Sequence, residues 1–200
     1  GVSALDVDGD GRPDLFVTHL IGESNTLYLS RGGGHFEDVT AAARIGLPSL
    51  PYTGFGCALF DFDHDGTVDC AVVNGAVKRR PEPLAERSDP FWNDYAEPTL
   101  LLRGRRGRFE DARQLAGDFG RHVDLLVTSL DDRARLFRND APAADSNWLK
   151  LRLMLPAQRR EALGARVVLH VGERQVVRFA LPPGGYASGG EAIIHVGLGD

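Results

Sequence analysis

Two stretches of the chain carry one pattern: residues 6–18 read DVDGDGRPDLFVT and residues 61–73 read DFDHDGTVDCAVV. Their first residues stand 61 − 6 = 55 positions apart, and HVDLLVTS places Asp124 another 124 − 69 = 55 positions beyond Asp69. A second pattern travels with the first. TLYLSRGGGHFEDVT from Thr26 is echoed by TLLLRGRRGRFEDAR from Thr99, and a shorter RLFRND starts at Arg135. Each copy reads as a strand, a Gly-rich turn, and a second strand opening on Phe36 or Phe109. A period of about 55 residues with four short strands per unit predicts β-propeller blades, units that cover their apolar faces only by stacking on one another. The expected fold class is all-β: a partial β-propeller of three blades over residues 1–140, the third degenerate, followed by a small β-rich domain over 147–200. At most a short helical turn is expected, near Ala41 to Ala43.

The spacing is uneven. Asp69 to Thr99 is 30 positions and Asp14 to Thr26 is 12, an excess of 18 in the second unit. The extra sequence, KRRPEPLAERSDPFWNDYAEP over 78–98, is Pro-rich and charged, which predicts a long surface loop. Its aromatics Phe91, Trp92 and Tyr95 either form a recognition patch or pin the loop to its own blade. The third unit is short by the same 18 residues between Phe109 and Asp124, and in GDFGRHVDLL only Asp118 and Asp124 remain of an acidic loop. After a linker over 139–147 the pattern stays β. Leu149, Leu151, Leu153 and Leu155 alternate with Lys150 and Arg152, and RVVLHV, QVVRFA and AIIHVGL follow as further strands.

Within the first acidic loop, Asp6, Asp8, Asp10 and Asp14 hold positions 1, 3, 5 and 9, and in the second the same positions hold Asp61, Asp63, Asp65 and Asp69. Alternate carboxylates on a tightly curled backbone turn inward together, and position 7 (Arg12 or Thr67) offers a carbonyl. Five protein ligands plus water meet the six to eight oxygens that calcium prefers. Gly11 and Gly66 at position 6 supply the sharp turn. The start resembles an EF-hand loop, but position 12 holds Val17 and Val72 instead of a bidentate Glu, and the flanks LFV and CAVV are strand-like. These are calcium loops set in β-hairpins, and two Ca²⁺ sites are expected. His64 takes an outward position of the second loop, as a polar filler.

Composition narrows the alternatives. Twenty-four glycines and 11 prolines among 200 residues indicate many tight turns, and a net charge of −5 opposes a nucleic-acid partner, which calls for a basic face. No apolar run approaches the length of a membrane span, so no membrane insertion is expected. The chain begins at Gly1 inside a repeat, which reads as a piece cut from a longer protein, less stable alone because blade edges stay open. Cys57 and Cys70 flank the second loop; with the hairpin centred on Asp65, Cys57 faces roughly Val73, poor geometry for a disulfide, so two buried thiols are expected. The histidines are scattered: His35 in a turn, His170 and His195 in strand patterns. Ser188 lacks a nucleophile elbow, and PPGG over 182–185 reads as a Gly-rich hairpin or an anion nest.

The loops with their FGCALFDFDHDG context resemble FG-GAP/VCBS propeller repeats, as in integrin α-chains. NGAV followed by NDYAEPTLLLRGRRGRFEDA is similar to bacterial relatives of cartilage acidic protein. NWLKLRL, EALGARVVLHV, PPGGYASGG and IIHVGLG follow in the order of an ASPIC/UnbV domain. The resemblance implies a calcium-binding, non-catalytic interaction module, extracellular, on a cell surface or periplasmic. Its partners would be a protein or a glycan, together with the remaining propeller blades of the full-length chain. The alternative is a propeller enzyme whose active site lies in upstream blades.

Overall fold

In the computed structural model the described residues are 1–79, 81, 93–105, 107–113, 125–127, 134–137, 147–181 and 192–199. The fold is all-β and propeller-like. Strands β1 (Val2–Leu5), β2 (Asp14–Val17), β3 (Thr26–Gly32) and β4 (His35–Asp38) form one antiparallel meander in that order. After a one-turn helix, α1 (Gly46–Ser49), a second meander follows: β5 (Gly54–Phe60), β6 (Asp69–Asn74), β7 (Leu100–Arg105) and β8 (Arg108–Asp111). The acidic loops join β1 to β2 and β5 to β6, so they cap equivalent hairpins of neighbouring blades. The first strands of the two sheets meet, β1 alongside β5, and the Leu59 N–H donates to Ser3 Oγ at 3.2 Å.

Between the two sheets lies one apolar core. Phe16, Leu27, Ile45, Val72, Leu100 and Leu102 are its largest fully buried members, each at most 1% exposed. Phe109 belongs to it as well, while its counterpart Phe36 is 46% exposed. The helical turn differs from expectation in place. Residues 40–44 form a hydrogen-bonded turn that Arg44 ends in the left-handed region, φ 61°, and the helix begins only at Gly46. Packing decides this: the turn delivers Ala43 and Ile45 into the core, and the Ala43 carbonyl accepts the Phe109 N–H at 2.8 Å from the second blade.

The ladder also places the repeats one residue out of step with the sequence echo. Leu15 pairs with Tyr28 and its counterpart Cys70 with Leu102, an offset of 102 − 28 = 74, whereas Phe36 and Phe109 differ by 73. A β-bulge between Ser30 and Gly32 absorbs the extra residue of the first blade. Ser30 and Gly104 are thereby equivalent.

Both cysteines are buried and free. Cys57 pairs across the ladder with Val72 and Cys70 with Leu59, one residue from the partner expected for Cys57 and diagonal to each other. Diagonal neighbours stand about 7–8 Å apart, beyond the usual disulfide reach. Burial pushes both thiols up. The folded protein is therefore expected to resist a thiol-labelling reagent and to take up two equivalents only in denaturant. Labelling of either residue at the native rate of a free cysteine would refute this.

In the third unit, β9 (Leu125–Val127) pairs with β10 (Arg135–Phe137). Beyond it, β11 (Asn147–Arg152) pairs with β16 (Ile193–Gly199), β12 (Met154–Leu155) with β13 (Arg160–Glu161), and β14 (Arg166–Val171) with β15 (Arg174–Phe179). Leu151 and Leu153 pack on a small core of Val176, Ala180, Ile194 and Val196. Leu155 departs from the predicted apolar face: it belongs to the separate β12–β13 hairpin and is 38% exposed. His35 opens β4 instead of lying in its turn. Phe91, Trp92, Asp118, Asp124, Pro182, Gly185, Ser188 and most of the linker lie outside the described residues. Tyr95 is described: its carbonyl accepts the Ala76 N–H at 2.9 Å, and Gly75 bridges Ala96, so the long segment returns beside the end of β6.

Candidate metal centre

Each acidic loop is curled by carboxylates that accept the backbone amides of the residues just ahead. In the first, Asp6 takes the N–H of Gly9 (2.9 Å) and Gly11 (3.0 Å), Asp8 that of Asp10 (3.2 Å), and Asp10 that of Arg12 (2.9 Å). The second repeats this: Asp61 takes the N–H of Gly66 (3.0 Å), Asp63 that of Asp65 (3.4 Å), and Asp65 that of Thr67 (2.8 Å). Gly11 and Gly66 sit at φ 86° and 83°, where a side chain is strained, so the sequence argument for glycine at position 6 applies to both.

Position 9 does a different job. Asp14 accepts Val7 N–H (2.7 Å) on one oxygen and Ser30 N–H (2.8 Å) on the other; Asp69 does the same with Phe62 (2.8 Å) and Gly104 (2.7 Å). Each is fully buried and ties its loop to the third strand of its own blade. Gly104 is required there, because a Cβ would run into the Val68 carbonyl.

Three carboxylates in each loop bring one oxygen apiece within 4.8 Å of one another: Asp6, Asp8 and Asp14 in the first, Asp61, Asp63 and Asp65 in the second. Such a group could bind a metal ion. Of the residues predicted from sequence, Asp10 stands apart from the first cluster, held by Arg12, and Asp69 stands apart from the second, held by its two amides. Arg12 and Thr67 are placed at the expected turn of each loop.

The second loop fits a cation on a further observation. Asp61 is 3% exposed, its Oδ2 takes two amides, and its Oδ1 is buried with no hydrogen-bond donor among the described residues. Leaving a buried carboxylate oxygen without a donor is costly, and an oxygen-seeking hard cation relieves that cost. Burial also pushes Asp61 up to about 6 and Asp69 up to about 8, against the opposing pull of their amides. Asp6, Asp14 and Asp63 are raised in the same way, chiefly by burial.

Arginines offset part of the charge. Arg31 reaches Asp8 at 3.1 Å, and Arg103 pairs with Asp63 and, at 3.4 Å, with Asp65. From β15, Arg178 is 5% exposed and attracted by both Asp61 and Asp6, while burial pushes its guanidinium down.

Residues 6–72 match the family model of an FG-GAP-like repeat. That segment begins on Asp6 and ends in β6, so it spans both acidic loops. Residues 156–200 match the model of ASPIC and UnbV. The two matches support a repeat-plus-UnbV architecture. No curated protein matches the chain.

The sequence reading of the FG-GAP-like loops left several participants unseen. Ser30 and Gly104 act through backbone amides, which no residue type announces. Gly197, from the ASPIC/UnbV segment, donates its N–H to Asp61 Oδ2 at 2.9 Å across 136 positions. His64 is corrected outright: it is 1% exposed, its ring 4.6 Å from that of His195. Rings of the C-terminal strands cover it, His195 of β16 and Trp148 of β11.

Proposed function

We propose that the chain is a non-catalytic, calcium-binding interaction module of an extracellular, cell-surface or periplasmic protein of the cartilage acidic protein type. The observation that carries the reading is the convergence of Asp61, Asp63 and Asp65, together with a buried Asp61 oxygen that has no donor among the described residues. The first loop supports it with a cluster of its own, Asp6, Asp8 and Asp14, which takes position 9 of the loop where the second takes position 5. All-oxygen donors of net negative charge suit Ca²⁺, and Mg²⁺ less, since it demands a tighter octahedron and keeps its waters. The ion would supply structural charge compensation, while Asp14 and Asp69 hold the loop to its blade. Among the described residues no helix is long and apolar enough to cross a membrane. The partner would be a protein or a glycan presented to the blade loops.

Calorimetric titration of the chelator-treated chain tests the reading. Two calcium ions are expected, with dissociation constants of roughly 10⁻⁴ to 10⁻³ M, as in extracellular modules. Asp8→Ala and Asp63→Ala should each remove one ion and lower the melting temperature reached in calcium. If neither substitution alters uptake, the loops are solvated turns.

A further inference from the structure

We infer that β16 completes the support of the second acidic loop, so that cation binding there and the seating of the C-terminal strands on the second blade are coupled. This rests on the calcium reading of that loop and adds its regulation. The contact is specific. The Gly197 amide and the Gly66 amide both donate to Asp61 Oδ2, leaving Oδ1 as the carboxylate atom open to a cation. Only glycine permits the approach: a Cβ at position 197 would run into the Asp61 carboxylate and the His64 backbone.

Neighbouring contacts hold the strand in place. The rings of His195, His64 and Trp148 of β11 form a mutual cluster, with His195 4.6 Å from His64 and 5.2 Å from Trp148, and those two 6.1 Å apart. Arg174 of β15 donates to the Leu198 carbonyl at 2.9 Å, and its guanidinium stands 2.6 Å from where a Gly66 Cβ would be. The first loop differs, since among the described residues its carboxylates take amides from their own blade alone. A strand that fixes one oxygen of Asp61 lowers the ordering cost of binding at the other. By linkage, the cation then tightens the strand's contact by the same factor.

Calcium chloride titration of the full 200-residue chain carrying Asp8→Ala reads the second loop by itself. Trp148→Ala, which thins the ring cluster without touching a carboxylate, should weaken that affinity about tenfold, and Gly197→Ala should weaken it more. Amide exchange supplies a readout that a merely structural role would not move. Calcium should slow exchange of the Gly197 amide in the unmodified chain and leave it unchanged in Asp63→Ala. If Gly197→Ala fails to fold, Trp148→Ala and the exchange measurement decide. Calcium uptake that neither Trp148→Ala nor Gly197→Ala weakens, with Gly197 exchange indifferent to the ion, overturns the coupling and leaves the calcium reading standing. No uptake by the unmodified chain overturns both.

Discussion

Asp69→Ala is expected to cost the metal-free protein about 3–5 kcal/mol, the largest loss of any single acidic-loop substitution. The change strands two buried amides, those of Phe62 and Gly104, that have the Asp69 carboxylate as acceptor at 2.8 and 2.7 Å. An unsatisfied buried donor costs about 1–3 kcal/mol, and the pair lies in a site with no exposure through which water could replace the lost oxygens. Relief of the carboxyl group's own burial offsets part of this, which keeps the expected loss short of the upper end of that sum. Asp69→Asn keeps one acceptor oxygen and should fall in between. Asp63→Ala, whose carboxylate curls the loop tip, should cost far less without metal. Urea denaturation in chelator ranks the three. An Asp69→Ala midpoint equal to that of Asp63→Ala would refute the latch.

Raising the pH should destabilise the chelated protein, an unusual direction for an acidic chain. In the folded state Asp61 titrates at about 6 and Asp69 at about 8, both driven up chiefly by burial, against about 3.9 for an unfolded aspartate. Between the unfolded and folded values the native state holds protons that the unfolded chain has released. The associated stability is fully present below about pH 4 and is lost as pH climbs through each folded value. Asp61 alone accounts for about 3 kcal/mol by neutral pH. Calcium reverses the requirement, since a cation and a proton compete for the same oxygens. Melting temperature should therefore fall from about pH 5 to pH 8 in chelator, and the fall should flatten or invert in millimolar calcium. A chelated protein that grows more stable over that range would show that these carboxylates are ionised without penalty.

Repeat spacing, blade architecture and the two acidic loops were legible because each rests on local periodicity: alternate aspartates, glycine at the turn, four short strands. Position 9 was legible as an aspartate but not as a latch, since Ser30 and Gly104 contribute amides and stand 16 and 35 positions away. Gly197 and the burial of His64 were out of reach for a different reason. They depend on how the C-terminal strands sit on the second blade, a long-range packing choice that no pattern within either segment encodes. Cys57 lay within reach, and its partner differs by one residue because Phe60 pairs with Asp69, which centres the hairpin between His64 and Asp65 and not on Asp65.

The bulge at Ser30 bears on how interchangeable the blades are. Aligning them by their echo, at an offset of 73, equates Ser30 with Arg103, whereas the ladder equates it with Gly104. A chimera that moves the β7–β8 hairpin into the first blade on the sequence alignment would bring the wrong amide opposite Asp14. It would also turn every side chain of the transplanted strand to the opposite face, bringing Leu102 to the place of Leu29 and Leu101 to that of Tyr28. Exchange is feasible as a whole hairpin joined on the ladder register, with residue 31 dropped. The unit that can be recombined in this architecture is thus the strand pair with its latch, not the motif visible in the text of the sequence.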